Sequence, residues 1–375
     1  MKKSMFLLLW GLVLCTALTA QTISINLTNP GNFSRNKEVV SINWKDLVSK
    51  DPKLKADNFK VIDAATKKEV PFQLEYKGLN TVQNLLVQVT IGPDQVIRLT
   101  LIPGKPSIFP VAAFGRYVPE RMDDFAWEND KMAFRAYGKA LESTKENAFG
   151  MDVWAKRTDK MIINDWYKTG DYHKDHGDGL DYYSVGFTLG AGDIAPYINQ
   201  SIIFSKNYRT WKVLDQGPLR FTFQLGYEDW NVDGKMVKVL KTILLDAGSQ
   251  LNRVEAVYSF SGAADLPVVM GIVKRKDPGS VMMNEVDGIM GYWEPQHGDD
   301  GTIGVGVLSL QKPAMMSAEN GHLLTHSSAK NGEPVVYYSG AAWSKSTDIK
   351  TAEQWFRYLN SFQLKLEKPV VVRVQ

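Results

Sequence analysis

Two runs with strand character, Lys235-Met-Val-Lys-Val-Leu-Lys-Thr-Ile-Leu-Leu-Asp246 and Leu251-Asn-Arg-Val-Glu-Ala-Val-Tyr-Ser-Phe260, flank the short segment Ala247-Gly248-Ser249. In the second run, apolar residues at every other position from Val254 alternate with polar residues such as Glu255. A period of two is the pattern of a strand with one buried face, and a short link containing glycine joins antiparallel neighbours. The segment therefore predicts a long hairpin in an antiparallel sheet.

Strand patterns of this kind recur along the chain, and helical periodicity is rare. Residues 302–310 and 364–374 repeat the long alternating pattern, whereas residues 351–359 are the best helical candidate. Polar residues begin to cluster, and strands lengthen, after Pro110. The fold class is therefore predicted to be all-β, with residues 109–375 forming a large antiparallel sandwich whose concave face makes a binding groove.

Residues 21–108 have shorter strand patterns, separated by turn sequences such as Asn29-Pro30-Gly31 and Gly92-Pro93-Asp94. Short strands between such turns are typical of small β-sandwiches, so this region is predicted to be a separate immunoglobulin-like module. It contains no cluster of titratable residues. We therefore expect it to pack against the larger unit and position it, and we expect the site to lie in residues 109–375.

Residues 1–20 have the features of a secretory signal peptide. A basic start, Met1-Lys2-Lys3, precedes an apolar run from Met5 to Leu14, and Ala20 is a small residue at which cleavage can occur. The run is too short for a membrane-spanning helix, so no membrane insertion of the mature chain is expected. Cys15, the only cysteine, would be removed with this segment. The prediction is a periplasmic or secreted protein that folds without disulfides.

The charge composition argues against two classes of partner. The chain has 44 basic and 41 acidic residues, its net charge is only +3, and its lysines and arginines form no stripe. Nucleic acids and membrane surfaces are therefore not expected as partners. Aromatic residues are abundant, with 10 Trp, 15 Tyr and 16 Phe. Those grouped with titratable residues are candidates for stacking on sugar rings.

One loop concentrates groups that can transfer protons: Asp171-Tyr-His173-Lys-Asp175-His176-Gly-Asp178-Gly-Leu-Asp181-Tyr182-Tyr183. It holds two of the five histidines, and Gly177 and Gly179 indicate a tightly shaped turn. The alternation that follows over residues 183–189 predicts a half-buried strand. A loop of acid and base groups that leads into a sheet is a typical place for a catalytic site. The alternative is a polar surface turn.

Three further segments, residues 116–137, 152–157 and 292–300, combine aromatic residues with carboxylates and with cations or a histidine. Surface ion pairs would explain each of them singly. Their presence in one predicted domain favours a shared groove. The candidate substrate-binding residues are Arg121, Trp127, Glu128, Trp154, Trp293, Glu294 and His297.

Four motifs carry a family resemblance: Arg116-Tyr-Val-Pro-Glu-Arg-Met-Asp-Asp-Phe-Ala-Trp-Glu-Asn129, Phe134-Arg-Ala-Tyr-Gly138, Asp152-Val-Trp-Ala-Lys-Arg157 and Tyr172-His-Lys-Asp-His-Gly-Asp-Gly-Leu-Asp-Tyr-Tyr-Ser-Val-Gly186. They resemble a family of secreted Bacteroidota proteins, catalogued as a domain of unknown function, with genes often found in polysaccharide-utilisation clusters. That family is similar to oligosaccharide dehydratases of ulvan breakdown. The architecture resembles the supersandwich of galactose mutarotases and of polysaccharide-lyase β domains. The resemblance implies carbohydrate chemistry and leaves the reaction open.

The residue types fit β-elimination from a uronic acid by a carbon–oxygen lyase, either a dehydratase or a polysaccharide lyase. This reaction needs a cation on the sugar carboxylate, a base for the neighbouring proton and an acid for the leaving oxygen. The expected partner is an oligosaccharide or polysaccharide that contains uronic acid. The candidate cation is Arg121 or Arg135. The candidate base is His173 or His176, and the candidate acid is Tyr182 or Tyr137.

Other activities stay open at this point. A glycoside hydrolase needs a pair of carboxylates, whereas a mutarotase-like epimerase needs a histidine and a carboxylate. A non-catalytic glycan-binding protein needs only aromatic platforms. The carboxylates of a hydrolase would be two of Glu128, Asp178, Asp181 and Glu294. An epimerase would use His173 or His297 with Glu294. The aromatic platforms of a binding protein would be Trp127, Trp154 and Trp293.

A divalent metal, calcium or zinc, is an alternative role for the histidine-rich loop. Imidazole and carboxylate groups bind such ions, and His173, His176, Asp178 and Asp181 would be the ligands. Their spacing matches neither an established zinc pattern nor the twelve-residue calcium loop. The sequence indicates no other cofactor.

Overall fold

The computed structural model describes residues 22–375, so the predicted signal peptide lies outside the described residues. The protein is mostly β-sheet, with 48% of residues in strands and 12% in helices, and the sheets are antiparallel. This confirms the predicted all-β sandwich class. None of the helices within residues 22–375 is long and apolar enough to cross a membrane.

The N-terminal part is a small two-sheet sandwich. Strands β1, β6 and β3 form one sheet, and strands β2, β5 and β4 form the other. Apolar side chains such as Ile25, Leu85 and Leu99 are fully buried between them. The elements are β1 (Ile23–Thr28), β2 (Arg35–Asn43), α1 (Trp44–Lys50), β3 (Phe59–Asp63), β4 (Phe72–Glu75), β5 (Asn84–Ile91) and β6 (Val96–Pro103).

The larger part contains most of the remaining elements. They are β7 (Ala113–Val118), β8 (Asp124–Asn129), β9 (Ala133–Ala136), β10 (Asp152–Lys156), α2 (Ile163–Thr169), β11 (Gly179–Leu180), β12 (Ala191–Ile198), β13 (Ser201–Ile202), β14 (Thr210–Asp215), β15 (Arg220–Gly226), β16 (Trp230–Val232), β17 (Lys235–Asp246), β18 (Leu251–Ser259), β19 (Asp265–Val273), β20 (Ser280–Asn284), β21 (Ile289–Trp293), β22 (Ile303–Ser309), β23 (Met315–Glu319), β24 (His322–Lys330), β25 (Pro334–Trp343) and α3 (Ala352–Glu367). Single turns of 3-10 helix lie at Pro119–Arg121, Lys139–Ser143 and Gly298–Asp300.

A nine-stranded sheet forms the centre of this part. Its order is β14-β15-β17-β18-β25-β22-β21-β20, with β16 paired to β17. The predicted hairpin is its β17–β18 pair, in which Thr242 lies opposite Glu255. Val254 and Tyr258 face the core, as the period of two predicts. Two five-stranded sheets, β11-β10-β9-β8-β7 and β13-β12-β19-β24-β23, share that core.

The outer face of the nine-stranded sheet is covered at both ends. Helix α3 packs on β21 and β22, where a Cβ at Gly306 would lie 2.6 Å from the Leu359 side chain, so glycine permits the close approach. The N-terminal sandwich packs near β15, where Gln73 Oε1 accepts hydrogen bonds from the backbone N–H groups of Leu219 and Arg220 at 2.8 Å. A groove between the two covers, here called the sheet groove, has Gln224, among others, on its floor.

Two strand predictions are wrong. Residues 364–374 do not form one strand, because α3 continues to Glu367 and only β26 (Val371–Val374) is extended. Residues 183–189 contain no strand either, although Tyr183, Val185 and Leu189 are buried, and the next strand is β12. The Thr188 hydroxyl donates to the Val185 carbonyl at 2.7 Å within a turn, which shows why an alternating burial pattern need not be extended.

The last strand also changes the predicted division of the chain. Strand β26 pairs with β1, with Val374 opposite Ile25, so the end of the chain completes the N-terminal sheet. The prediction placed all of residues 109–375 in the large unit, which is wrong for this strand. The division into two domains is otherwise still a prediction.

Candidate functional site

Arg135 lies at the centre of a buried cluster of three carboxylates. Its Nε donates to Asp152 Oδ2 at 2.8 Å, and its Nη2 donates to Asp181 Oδ2 at 3.0 Å. Asp124 Oδ2 lies 3.7 Å from Nη1. The antiparallel pairing of β9 with β10 places Arg135 directly opposite Asp152, so the sheet itself sets this geometry.

One guanidinium cannot balance three buried carboxylates, and the pKa values reflect this. Burial raises the pKa of Asp124 to about 7, with Asp152 adding to the effect. Burial and the charge of Asp152 raise the pKa of Asp181 to about 8. The cluster therefore holds protons near neutral pH, which is the condition for acid–base work at that pH.

Arg135 is fixed within the protein and is not free to bind a ligand. Its guanidinium lies over the rings of Trp154 and Tyr137, with 5.2 and 5.1 Å to the ring centroids. Only 5% of Arg135 and 8% of Tyr137 is exposed. The structure therefore places both residues, which were predicted to act on the substrate, beneath the surface.

His173 lies on the surface above this cluster, with 64% of its side chain exposed. Its Nδ1 is 2.8 Å from the carbonyl oxygen of Asp181. A carbonyl oxygen only accepts hydrogen bonds, so Nδ1 must carry the proton. Nε2 of the neutral imidazole is then unprotonated and able to act as a base.

Arg121 lies beside His173. Its Nε donates to the Tyr172 hydroxyl at 3.2 Å, and its Nη2 lies 3.3 Å from the exposed Glu146. The Tyr172 ring is 4.7 Å from the imidazole of His173, centroid to centroid. Because 27% of the Arg121 side chain is exposed, a ligand can reach its guanidinium.

His176 does not join this group. Its Nε2 is 3.0 Å from Asp171 Oδ2, and about two thirds of each of these two side chains is exposed. Asp178 faces Lys160 at 3.9 Å. Gly177 and Gly179 have positive φ values of 112° and 128°, which confirms the predicted tight turn. The turn directs His173 to the backbone carbonyl of Asp181 and His176 to the carboxylate of Asp171.

The proposed metal ligands therefore do not converge. His173 bonds to Asp181, which is shared with Arg135, whereas His176 and Asp178 face other partners. Among residues 22–375, no group of three or more His, Cys, Asp and Glu side chains is arranged to hold a metal ion. The residues present do not fit a calcium or zinc site.

A second cluster surrounds Glu294, at the end of β21. Arg275 Nε donates to Glu294 Oε1 at 2.7 Å, and Arg275 Nη1 donates to the Ser184 carbonyl at 2.6 Å. The guanidinium also lies 4.5 Å from the centre of the Tyr183 ring. Burial raises the pKa of Glu294 to about 7, although the Arg275 charge opposes the shift.

His297 belongs to this second cluster. Its ring stacks on Tyr182 with 5.1 Å between centroids, and its Nδ1 lies 3.1 Å from Asp300 Oδ2. The Tyr182 hydroxyl is buried without a hydrogen-bond partner. Burial and the charge of Glu294 raise the pKa of Tyr182. This hydroxyl therefore keeps its proton.

Three consecutive residues join the two clusters. Asp181 bonds to Arg135, Tyr182 stacks on His297, and Tyr183 lies under Arg275. Two residues of extended chain span roughly 7 Å at most, so the clusters lie side by side. The exposed base and cation therefore lie close to buried carboxyls that keep their protons near neutral pH.

The family model for "Domain of unknown function (DUF4861)" matches residues 27–372. The chain belongs to this DUF4861 family. "Uncharacterized protein P7" of Formosa agariphila is 30% identical to it over 382 residues, which cover 96% of this chain and 95% of that protein. The match agrees with the domain-of-unknown-function family that the four motifs indicated.

One solved structure is similar in fold, and a second is a weaker match. One is a protein in the glycosyl hydrolase family 38 from Enterococcus faecalis, with a TM-score of 0.55 and 8% identity, covering 96% of this chain and 48% of that one. The other is an alpha-mannosidase from Enterococcus faecalis V583, with a TM-score of 0.45 and 8% identity, covering 95% and 46%. The DUF4861 chain therefore spans about half the length of these solved chains.

Several predicted binding residues of the DUF4861 chain belong to the core. Trp127 and Trp154 are fully buried, and Trp127 Nε1 donates to Asn252 Oδ1 at 2.7 Å. Glu128 is buried too, paired with Lys156 at 2.7 Å. Trp293 packs into the cluster beneath α3. The prediction that these tryptophans are surface platforms is wrong for Trp127 and Trp154. The Trp127 ring packs in the main core, and the Trp154 ring stacks on Trp166 and Tyr172.

Sequence reasoning missed two residues that matter in this geometry. Tyr172 was read only as part of the loop, yet it links Arg121 to His173. Arg275 was not singled out, because Lys274-Arg275-Lys276 reads as a charged turn before Pro278. Glu294, nineteen residues later, was the signal that could have pointed to Arg275 as its partner. Only the folded sheet brings the two side chains together.

Proposed function

We propose that this protein is a carbohydrate-active enzyme that performs β-elimination on oligosaccharides containing uronic acid. One observation carries the proposal: the backbone carbonyl of Asp181 fixes the proton of His173 on Nδ1 and leaves Nε2 as an exposed base. Arg121 supplies an accessible cation beside it. Secretion to the periplasm or the medium is part of the same proposal.

The reaction begins when Arg121 binds the sugar carboxylate. Its charge makes the neighbouring ring C–H more acidic, because it stabilises the carbanion-like transition state. His173 Nε2 removes that proton. The C–H electron pair forms the ring double bond, and the bond from the adjacent carbon to its oxygen breaks.

The leaving oxygen needs a proton, and Tyr172 is placed to provide it. Its hydroxyl oxygen accepts from Arg121 Nε, so its own proton is available for donation. Tyr172 is as buried as the sequence candidate Tyr137, with 7% and 8% exposed, but it alone of the two contacts both Arg121 and His173. The other sequence candidate, Tyr182, lies in the Glu294 cluster. A dehydratase would release water, and a polysaccharide lyase would release a sugar.

Product analysis tests the proposal. The protein is incubated with a panel of uronic-acid oligosaccharides, and the ultraviolet absorbance of a conjugated uronate is followed together with new reducing ends. Absorbance without new ends identifies a dehydratase, and both signals together identify a lyase. New reducing ends alone would overturn elimination in favour of hydrolysis.

A glycoside hydrolase is the second candidate, and one observation favours it. Asp181 and Glu294 are buried carboxyls whose pKa values burial raises to about 8 and about 7, so either can serve as a general acid near neutral pH. A protein of similar fold is described as a member of glycosyl hydrolase family 38. In this reading Glu294 is the proton donor, and His173 has no role in the chemistry.

A further inference from the structure

The sheet groove is a cavity of about 1330 Å³ on the outer face of the nine-stranded sheet. Its walls are the N-terminal sandwich and helix α3, and residues of β15, β17 and β18 make its floor. None of the predicted site residues lines it. Pockets for single small molecules are about 300–1,000 Å³, so the groove has room for several linked sugar units.

The floor of the groove has polar side chains beside apolar ones such as Leu244. Gln224 and Thr242 face each other across β15 and β17, and Gln224 Nε2 donates to Thr242 Oγ1 at 3.2 Å. On the next strand, Glu255 is opposite Thr242. Thr222 and Gln250, which also line the groove, each have a buried side-chain oxygen without a hydrogen-bond partner. Such a floor suits a ligand rich in hydroxyl groups.

The groove lining has seven basic and five acidic residues, and most of these charges are paired within the protein. Arg220 pairs with Glu75 at 2.8 Å and with Asp246 at 2.6 Å, and Arg253 pairs with Glu255. These arginines are therefore occupied, and they do not form a strong anion site. The groove favours uncharged sugar units over a run of carboxylates.

One wall of the groove is aromatic. Tyr338 on β25 and Phe362 on α3 both line the cavity, and their rings lie 5.0 Å apart in an edge-to-face arrangement. Sugar rings present apolar C–H faces to aromatic rings and hydroxyl groups to polar side chains. A polar floor beside an aromatic wall matches both properties.

We propose that the sheet groove is a second carbohydrate-binding site, which holds an uncharged stretch of an oligosaccharide or polysaccharide. The ligand class rests on the proposed function, but the site is separate from the His173 loop. Its role is to keep a long substrate on the protein while the His173 site acts on a uronic acid.

Binding measurements on polysaccharide microarrays test this site. The arrays carry plant and algal polysaccharides that contain neutral sugars, with polygalacturonate as the fully charged member. Two variants change different parts of the groove. Gln224→Ala removes a contact on the floor, and Ser361→Trp fills the groove from the α3 wall. The control Lys238→Ala changes an exposed residue of β17 that does not line the groove.

The parent, Lys238→Ala and His173→Ala should bind at least one polysaccharide that contains neutral sugars, and 0.5 M NaCl should change this little. Both groove variants should bind about tenfold or more weakly, Gln224→Ala because hydrogen bonds to the ligand are lost and Ser361→Trp because its indole occupies the groove. Thermal unfolding of each variant checks its fold, and the variant that remains folded decides the result.

The inference is overturned if folded groove variants bind every probe like the parent, or if only polygalacturonate is bound. Turnover of a short uronate oligosaccharide separates the two proposals. Turnover that survives without groove-dependent binding would overturn only the second site. Groove-dependent binding without any elimination would overturn only the proposed reaction.

Discussion

The backbone carbonyl of Asp181 accepts a hydrogen bond from Nδ1 of His173 at 2.8 Å, while the Asp181 carboxylate accepts one from Arg135 at 3.0 Å. One residue therefore connects the exposed imidazole to the buried cluster. The carbonyl sets the tautomer of His173, and the salt bridge holds the carbonyl in place. The imidazole of His173 therefore lies at the surface, and the charged cluster around Arg135 lies beneath it.

Replacement of the two loop histidines should give opposite results. His173→Ala removes the proposed base, so the rate of uronate elimination should fall by about 10²–10⁴. His176→Ala removes a group that contacts only the exposed Asp171, and activity should stay within about twofold. Absorbance assays on both folded variants make the comparison. Equal activity of His173→Ala and the parent would move the site to the Glu294 cluster.

Arg121→Ala should weaken both substrate binding and turnover. The guanidinium is proposed to contact the sugar carboxylate, and charged hydrogen bonds of this kind contribute about 1.5–3 kcal/mol. We expect kcat/KM to fall by roughly 10–100-fold, with part of the loss in kcat. Arg98→Ala, which changes an exposed arginine of the N-terminal sandwich, is the matched control. A KM effect with unchanged kcat would indicate a binding role alone.

Arg135→Ala should mainly lower the free energy of unfolding. At pH 7 it leaves the Asp152 carboxylate and the partly ionised Asp124 without their cation, and loss of one partner from a buried ion pair costs about 3–5 kcal/mol. Urea unfolding at pH 7 should show this loss. The loss should be smaller at pH 5, where Asp124 and Asp181 are protonated. Full stability with loss of activity would instead assign Arg135 to the substrate.

Asp181 should make the protein less stable as pH rises. Its pKa is raised to about 8 in the folded state, whereas its pKa in the unfolded chain is near 3.8. Between these two pH values the unfolded chain has released the proton, and the folded chain still holds it. The free energy of unfolding should then fall by at most about 1.4 kcal/mol per pH unit from this group. Asp181→Asn should show a shallower decline from pH 5 to pH 8, and the exposed Asp178→Asn should behave like the parent.

Glu294→Gln distinguishes the two candidate reactions. If elimination at His173 is the reaction, this variant should keep activity within about threefold, because Glu294 is not proposed to touch the substrate. If Glu294 is the acid of a hydrolase, reducing-end release should fall by about 10²–10⁴. Both products are measured on the same samples. Arg275→Lys tests whether any loss follows from a disturbed ion pair.

Parts of the fold followed directly from local pattern. The alternation in β17 and β18 identified the hairpin and its buried face, because a strand's side chains alternate whatever it packs against. The helical periodicity of residues 351–359 identified α3, whose buried residues are Trp355 and Leu359. The alternation over residues 183–189 predicted a strand where the structure has turns, because turns can also bury alternate side chains.

The candidate site was predicted less well than the fold. The loop with His173 was recognised by its composition, yet the sequence assigned Arg135, Trp127 and Trp154 to the surface. A tryptophan or an arginine has the same sequence signature in a core as in a binding site. Its burial depends on side chains from distant segments, such as the contact of Trp127 with Asn252.

By itself the sequence determined the all-β class, the long hairpin and a histidine-rich loop shaped by Gly177 and Gly179, because these follow from residues close together in the chain. Tertiary structure alone decided that Tyr172 connects His173 to Arg121 while His176 turns away, and that β26 returns to β1. It also created the sheet groove, because that cavity lies between elements far apart in the chain. Contacts of this kind depend on how the sheets pack, and local residue patterns carry no information about that.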